Sequence, residues 1–117
     1  MQPFIYRAQC VRVVDGDTVD LYVDCGFYQY AKLRFRLIGI DTPELNSKDQ
    51  GERLKALEAK QFTVDMLKPA PVSDNWSLLV KTYKSDSFGR WLCDIYADGV
   101  QLNAELLSKS LAVPFKP

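Results

Sequence analysis

The dipeptide Asp15-Gly16 stands between two alternating apolar runs, and this junction constrains the fold more than any other feature of the chain. Residues 4–14 read as one strand. Residues 18–24 read as a second, with Val19, Leu21 and Val23 on one face. An Asp-Gly pair joining two such runs is a strong two-residue hairpin signal. A turn at "CGFYQ" and a third alternating run over residues 30–40 extend the hairpin into a three-strand meander.

The pattern then changes period. Asp49 followed three residues later by Glu52 resembles a capping box, with Asp in place of the usual Ser or Thr. Ala59, Phe62 and Met66 recur at helical spacing as a core stripe, and Pro69 stops the helix. "PAPVSD" reads as loop. Residues 76–83 and 91–97 read as strands four and five, with "KSDSFGR" turning between them. Asp98-Gly99 then leads into a last short helix, about residues 100–109, whose Leu102, Leu106 and Leu107 are expected to face inward. Three strands, a helix, two strands and a helix predict a mainly β fold with helices (α+β). The specific expectation is a five-stranded OB-fold Greek-key barrel, with one helix between strands three and four and one C-terminal helix. With 117 residues and no repeat, linker or low-complexity stretch, residues 1–117 are expected to form a single domain.

Composition narrows the chemistry. The chain has no histidine, which removes every mechanism that needs an imidazole. Catalysis would have to rest on carboxylates, arginine, lysine, tyrosine or a metal. Cys10, Cys25 and Cys93 lack CxxC spacing and read as reduced structural residues rather than zinc ligands. The formal net charge is zero, with a pI near 6.2. A polyanion would therefore be held by a local patch or a bound cation, not by overall basicity. No run approaches the roughly 18 apolar residues of a membrane span. The first residues lack the pattern of a secretion signal, so a cytoplasmic protein is expected, with a secreted form trimmed of its leader as the alternative.

OB barrels bind ligands on strands two and three and on the loops joining strands one to two and four to five. Those loops here are "VDGDT" and "KSDSFGR", while "GIDTPE" leaves strand three. Taken singly, each cluster has a structural explanation: Asp17 as a polar turn residue, Asp41-Thr42-Pro43 as a strand end, Arg90 as a surface partner of Asp86. Together they suggest more. Asp17 shares the parity of Val19 and Leu21, so it points to the barrel mouth, and Asp41 and Glu44 arrive from another strand end. Oxygen ligands from separate elements, without sulfur or nitrogen, describe a site for a hard cation such as Ca²⁺ or Mg²⁺. Arg36 and Arg90 would stand beside it, offering planar forks that match phosphate oxygens. Strict alternation sets Arg36 and Asp41 on opposite faces, so a bulge or twist at Gly39 is required to re-aim one of them.

These residues carry a resemblance. "VVDGDTVDL", "FRLIGIDTPE", "FGRWLCDIYADG" and "LNAELLSKSLA", in this order, closely resemble the staphylococcal nuclease (thermonuclease) family over nearly the whole chain. The resemblance implies a Ca²⁺-dependent endonuclease, with Mg²⁺ as the alternative cation, acting on DNA, RNA or both with little sequence specificity. It implies cleavage of the 5′ P–O bond to leave 3′-phosphates. It places Asp17 and Asp41 as cation carboxylates and Thr42 as a backbone carbonyl ligand. Glu44 becomes the carboxylate that contacts the attacking water, and Arg36 and Arg90 the phosphate clamps. Three departures accompany it. The family's Asp-Lys-Tyr before "GR" is Asp86-Ser87-Phe88 here. The tyrosines that follow the "LA" segment give way to Phe115, with the sequence ending at Pro117 before a third helix, and the zero net charge contrasts with the basic family enzyme. Weaker or more salt-sensitive substrate binding is expected, with Phe88 or Phe115 either stacking on bases or serving as apolar edge residues. The oligomeric expectation is a monomer or homodimer. The alternative function is a catalytically weak or inactive module that binds nucleic acid or protein. A small-ligand barrel with a structural calcium would explain the acids but not the arginines.

Overall fold

Alternating apolar residues form strands here because one face of each can be buried in a common interior. The computed structural model describes residues 4–85 and 87–115, so the suggested partner Asp86 lies outside the described residues. Strand β1 (Ile5–Asp15) pairs antiparallel with β2 (Thr18–Asp24), and β2 pairs antiparallel with β3 (Tyr30–Leu37). After β4 (Ile40–Asp41) and helix α1 (Gln50–Leu67), β5 (Leu78–Ser85) returns beside β1 and pairs antiparallel with β6 (Trp91–Ala97). β6 then pairs parallel with β3, Phe35 opposite Trp91 and Leu37 opposite Cys93, which closes the barrel. The expected OB-type barrel with two helices is thus observed, with β1, β2, β3, β5 and β6 as its walls. Val19, Leu21, Phe35, Leu37, Val80 and Ile95 fill it, and Leu67 of α1 packs against the same core.

Asp98 and Gly99 both take left-handed backbone angles, φ 51° and 79°, and turn β6 into the short β7 (Val100–Gln101). This is the geometry that a two-residue hairpin requires. Helix α2 (Leu102–Ser108) follows, and β8 (Val113–Pro114) pairs with β4.

Several local expectations are corrected. Strand three ends at Leu37 rather than residue 40. Strand four begins at Leu78, because Trp76 leaves the ladder to stack on Tyr22 and Tyr30. The deepest residues of α1 are Ala56, Ala59, Thr63 and Leu67, while Phe62 and Met66 pack only partly against the core. Leu107 is 36% exposed, since the short α2 turns only Leu102 and Leu106 fully inward. The capping box is half formed. Asp49 does accept from the Gly51 N–H at 2.9 Å, but Glu52 accepts from the Glu44 N–H and the Ser47 hydroxyl instead.

Candidate active site

The β1–β2 turn can reach the helix because Gly16 has no side chain. A Cβ there would lie 2.9 Å from Ala59 Cβ and 3.1 Å from Thr42 Cγ2. The fit is locked by the buried Thr63 hydroxyl, which donates to the Gly16 carbonyl at 2.8 Å. Sequence reasoning missed Thr63; a polar residue on the buried stripe of α1 was its only signal. Asp17 follows Gly16 and is buried at the barrel mouth. Its Oδ1 accepts from the Thr18 hydroxyl at 3.0 Å. Its Oδ2 accepts from Arg36 Nη1 at 3.0 Å and from the Thr42 N–H at 3.1 Å.

Arg36 is the hub. Its Nη2 donates to Asp41 Oδ1 at 3.1 Å, so one guanidinium spans two carboxylates from different elements. Gly39, at φ +81°, breaks the strand and swings Asp41 to the side on which Arg36 lies. This is the re-aiming that alternation demanded. Beyond it, β8 holds the new direction, with Asp41 opposite Val113 and the Phe115 N–H donating to the Gly39 carbonyl at 2.9 Å. The same pairing sets the Phe115 ring 5.4 Å from the Arg36 guanidinium, a cation–π contact. Residues Val113 and Pro114 were not singled out in the sequence, since a two-residue pairing has no periodicity to read.

Asp41, Thr42 and Glu44 line a cleft of about 300 Å³ with Glu52, Lys55 and residues 110–113. Glu44 is exposed on its rim, and its backbone N–H donates to Glu52 at 3.4 Å. On the neighbouring loop the Arg90 guanidinium lies 5.3 Å from the Phe88 ring. Arg90 stands one residue before the first β3–β6 pair, so it enters the barrel wall beside β3. Burial, and then Asp17 close by, push the Asp15 carboxyl above its ordinary value, while Lys60 and Arg90 draw it back. The mouth therefore joins Asp17, Arg36, Asp41 and Thr42 directly, with Glu44 at the rim, Phe115 against Arg36, and Arg90 with Phe88 as a second pair.

Among the described residues no three acidic or thiol side chains converge as a cage. A cation would therefore rest on Asp17 and Asp41, with backbone or water oxygens completing its shell. The donor set fits a hard divalent ion: two carboxylates from separate strand ends face one guanidinium, leaving one negative charge in excess within that trio.

Comparison with known proteins identifies the family. The model of the staphylococcal nuclease homologue family matches residues 34–116. A curated relative, the probable staphylococcal-like nuclease CAN1 of Oryza sativa subsp. japonica, is 37% identical over 81 residues. That alignment covers 69% of this chain and 21% of the relative, so the chain spans about a fifth of that protein's length.

Proposed function

The chain belongs to the staphylococcal nuclease homologue family, and from that premise we propose that it is a cation-dependent nuclease cutting DNA, RNA or both. The observation that supports this best is the bridge of Arg36 to both Asp17 and Asp41 at the edge of the cleft. It puts a phosphate-matching fork and a pair of hard oxygen ligands in one mouth. Asp17 and Asp41, with the Thr42 carbonyl, would hold Ca²⁺ or Mg²⁺. Such an ion, when bound, supplies Lewis-acid neutralisation of phosphoryl charge. The chain's own residues do the rest. Arg36 and Arg90 grip the non-bridging oxygens of one phosphate and stabilise the charge that builds on them. Glu44 orients a water in line with the 5′ P–O bond and accepts its proton as the bond to phosphorus forms. As that bond forms, the P–O5′ bond breaks and the leaving 5′ oxygen takes a proton from solvent, so the products are a 3′-phosphate and a 5′-hydroxyl.

The test is cleavage of single-stranded DNA with Ca²⁺, Mg²⁺ or EDTA, by wild type and by Glu44→Gln. Cutting that needs the metal and falls about 10²- to 10⁴-fold in the variant is the expected result, the range for loss of a general base. A folded protein that fails to cut with either Ca²⁺ or Mg²⁺ would overturn the proposal. That outcome would favour the second reading, a binding module, which draws on Ser87-Phe88 and on the zero net charge.

A further inference from the structure

The outer face of the β2–β3 ribbon carries a feature that the cleft does not use. The rings of Tyr22, Tyr30 and Trp76 lie 5.7, 5.8 and 5.8 Å apart, with interplanar angles of 12–18°. Three near-parallel rings at equal mutual distances cannot form a column. They overlap as a compact, staggered tile. Tyr30 is 44% exposed, and the other two are half-buried. The tile is held in place: Arg7 stacks on Trp76 at 4.9 Å and is tied to Asp24 at 2.7 Å.

The same face carries surplus positive charge. Arg34 pairs with Asp20 at 2.8 Å, and Arg12 and Lys32 also act on that single carboxylate. Arg34 also faces Asp15, so three cations share two acids and one positive charge is in excess, although the whole chain has no net charge. The face is also continuous with the cleft. Arg36 opposite Thr18, Arg34 opposite Asp20, Lys32 opposite Tyr22 and Tyr30 opposite Asp24 form successive rungs of one ladder side. From Arg36 to Tyr30 the run is about 20 Å, at about 3.3 Å per residue.

We propose that this face is a track for single-stranded nucleic acid leading from the cleft, with bases on the Tyr22–Tyr30–Trp76 tile and phosphates against Arg12, Lys32 and Arg34. The inference rests on the reading of the cleft as a nucleic-acid site. Flat rings accept any base, so the track gives affinity without sequence preference. At the ribbon's tip, Phe27 and Tyr28 are 94% and 90% exposed and both hold left-handed backbone angles, φ 56° and 58°. Two such residues in a row are costly and gain almost no packing within the chain. An aromatic extension of the track offers them a contact.

The experiment is fluorescence anisotropy with labelled oligothymidylates of ~3 and ~10 nucleotides, in EDTA so that a cation-dependent enzyme does not cut, the longer filling an OB-barrel site of about 4–16 nucleotides. Wild type should bind the longer strand about tenfold or more tightly. Tyr30→Ala should remove most of that gain, about five- to tenfold for one lost stacking contact. Lys32→Glu should reduce the slope of log affinity against log salt by about 0.7 or more. In Trp91→Phe protein, added long strand should quench Trp76 emission, a readout that leaves the tile intact. An undiminished length gain in folded Tyr30→Ala, or no quenching, overturns the proposal. So does a wild-type dimer that Tyr30→Ala converts to monomer without changing oligonucleotide affinity, which would make the face a contact between two copies. Absence of cutting by wild type with both Ca²⁺ and Mg²⁺, alongside a length gain that depends on the tile, would remove the nuclease reading and leave the track.

Discussion

Arg36 has two masters. In the structure it donates to Asp17 and Asp41; in the proposed reaction it must grip phosphate while those acids hold a cation. The two demands are compatible because they follow one another. A cation at the aspartates would offset their charge and leave the guanidinium free to turn toward the substrate. Arg36→Gln separates the roles. Cutting should fall about 10²- to 10³-fold, as when a donor to developing charge is removed. Cation affinity should rise, because two acids then lack their shared counter-charge. Asp17 keeps its donors from Thr18 and Thr42, so the variant should fold, though less stably. Calorimetric titration with Ca²⁺ checks the affinity. Thermal melts check the linkage, since Ca²⁺ should raise the Tm of the variant more than that of wild type. Unchanged cation affinity would mean that the aspartates do not hold the ion.

At the scale of elements, the site depends on two joints. One is Gly39, whose φ of +81° redirects β4 toward Arg36. Gly39→Ala has open space for its Cβ, so its cost is conformational, about 1–2 kcal/mol. Denaturant melts should register that loss, and weaker Ca²⁺ binding should accompany it as Asp41 shifts. The other joint is the contact of α1 with the β1–β2 turn. Thr63→Val leaves the buried Gly16 carbonyl without its hydroxyl donor and should cost about 1–3 kcal/mol, whereas Thr63→Ser should recover most of it. The first joint was legible in the sequence, because Arg36 and Asp41 had incompatible parity across a glycine. The barrel was legible too, since Val19, Leu21 and Val23 could serve only as one face of a strand. The second joint was not. Ala59, Phe62 and Met66 satisfy helical spacing as well as Ala56, Ala59, Thr63 and Leu67 do, and only packing decides between them. Nor was the pairing of Asp41 with Val113, because contacts distant in sequence and two residues long leave no period to detect. Trp76 was read as the start of strand four, and aromatic residues do favour strands. Its rings' company, Tyr22 and Tyr30, lies on another part of the barrel.

For the whole molecule, the limit on alkaline stability follows from the two thiols that folding buries. Burial pushes Cys10 up to about 11, and Cys93, in the barrel interior beside Asp94, well above the ordinary thiol value. An unfolded thiol ionises near pH 8.5. Above that pH the unfolded chain has released protons that the folded chain still binds, so stability falls as pH rises. The contribution is full below pH ~8.5 and is lost progressively as pH climbs toward the folded values, by at most about 1.4 kcal/mol per pH unit for each thiol. Tyr83 adds to the same limb at higher pH. Its hydroxyl donates to Asp94 at 2.6 Å, and that bond raises it to about 12. Urea titrations between about pH 8 and pH 11 should therefore show a falling midpoint, and cutting should cease where folding does. Cys93→Ala should be less stable at neutral pH, since it vacates core volume, yet its stability should fall less steeply with pH. A thiol reagent should modify exposed Cys25 in the folded protein and reach Cys10 and Cys93 only on unfolding. An alkaline limb with the same slope in Cys93→Ala would shift the cause from the barrel interior to the charged surface.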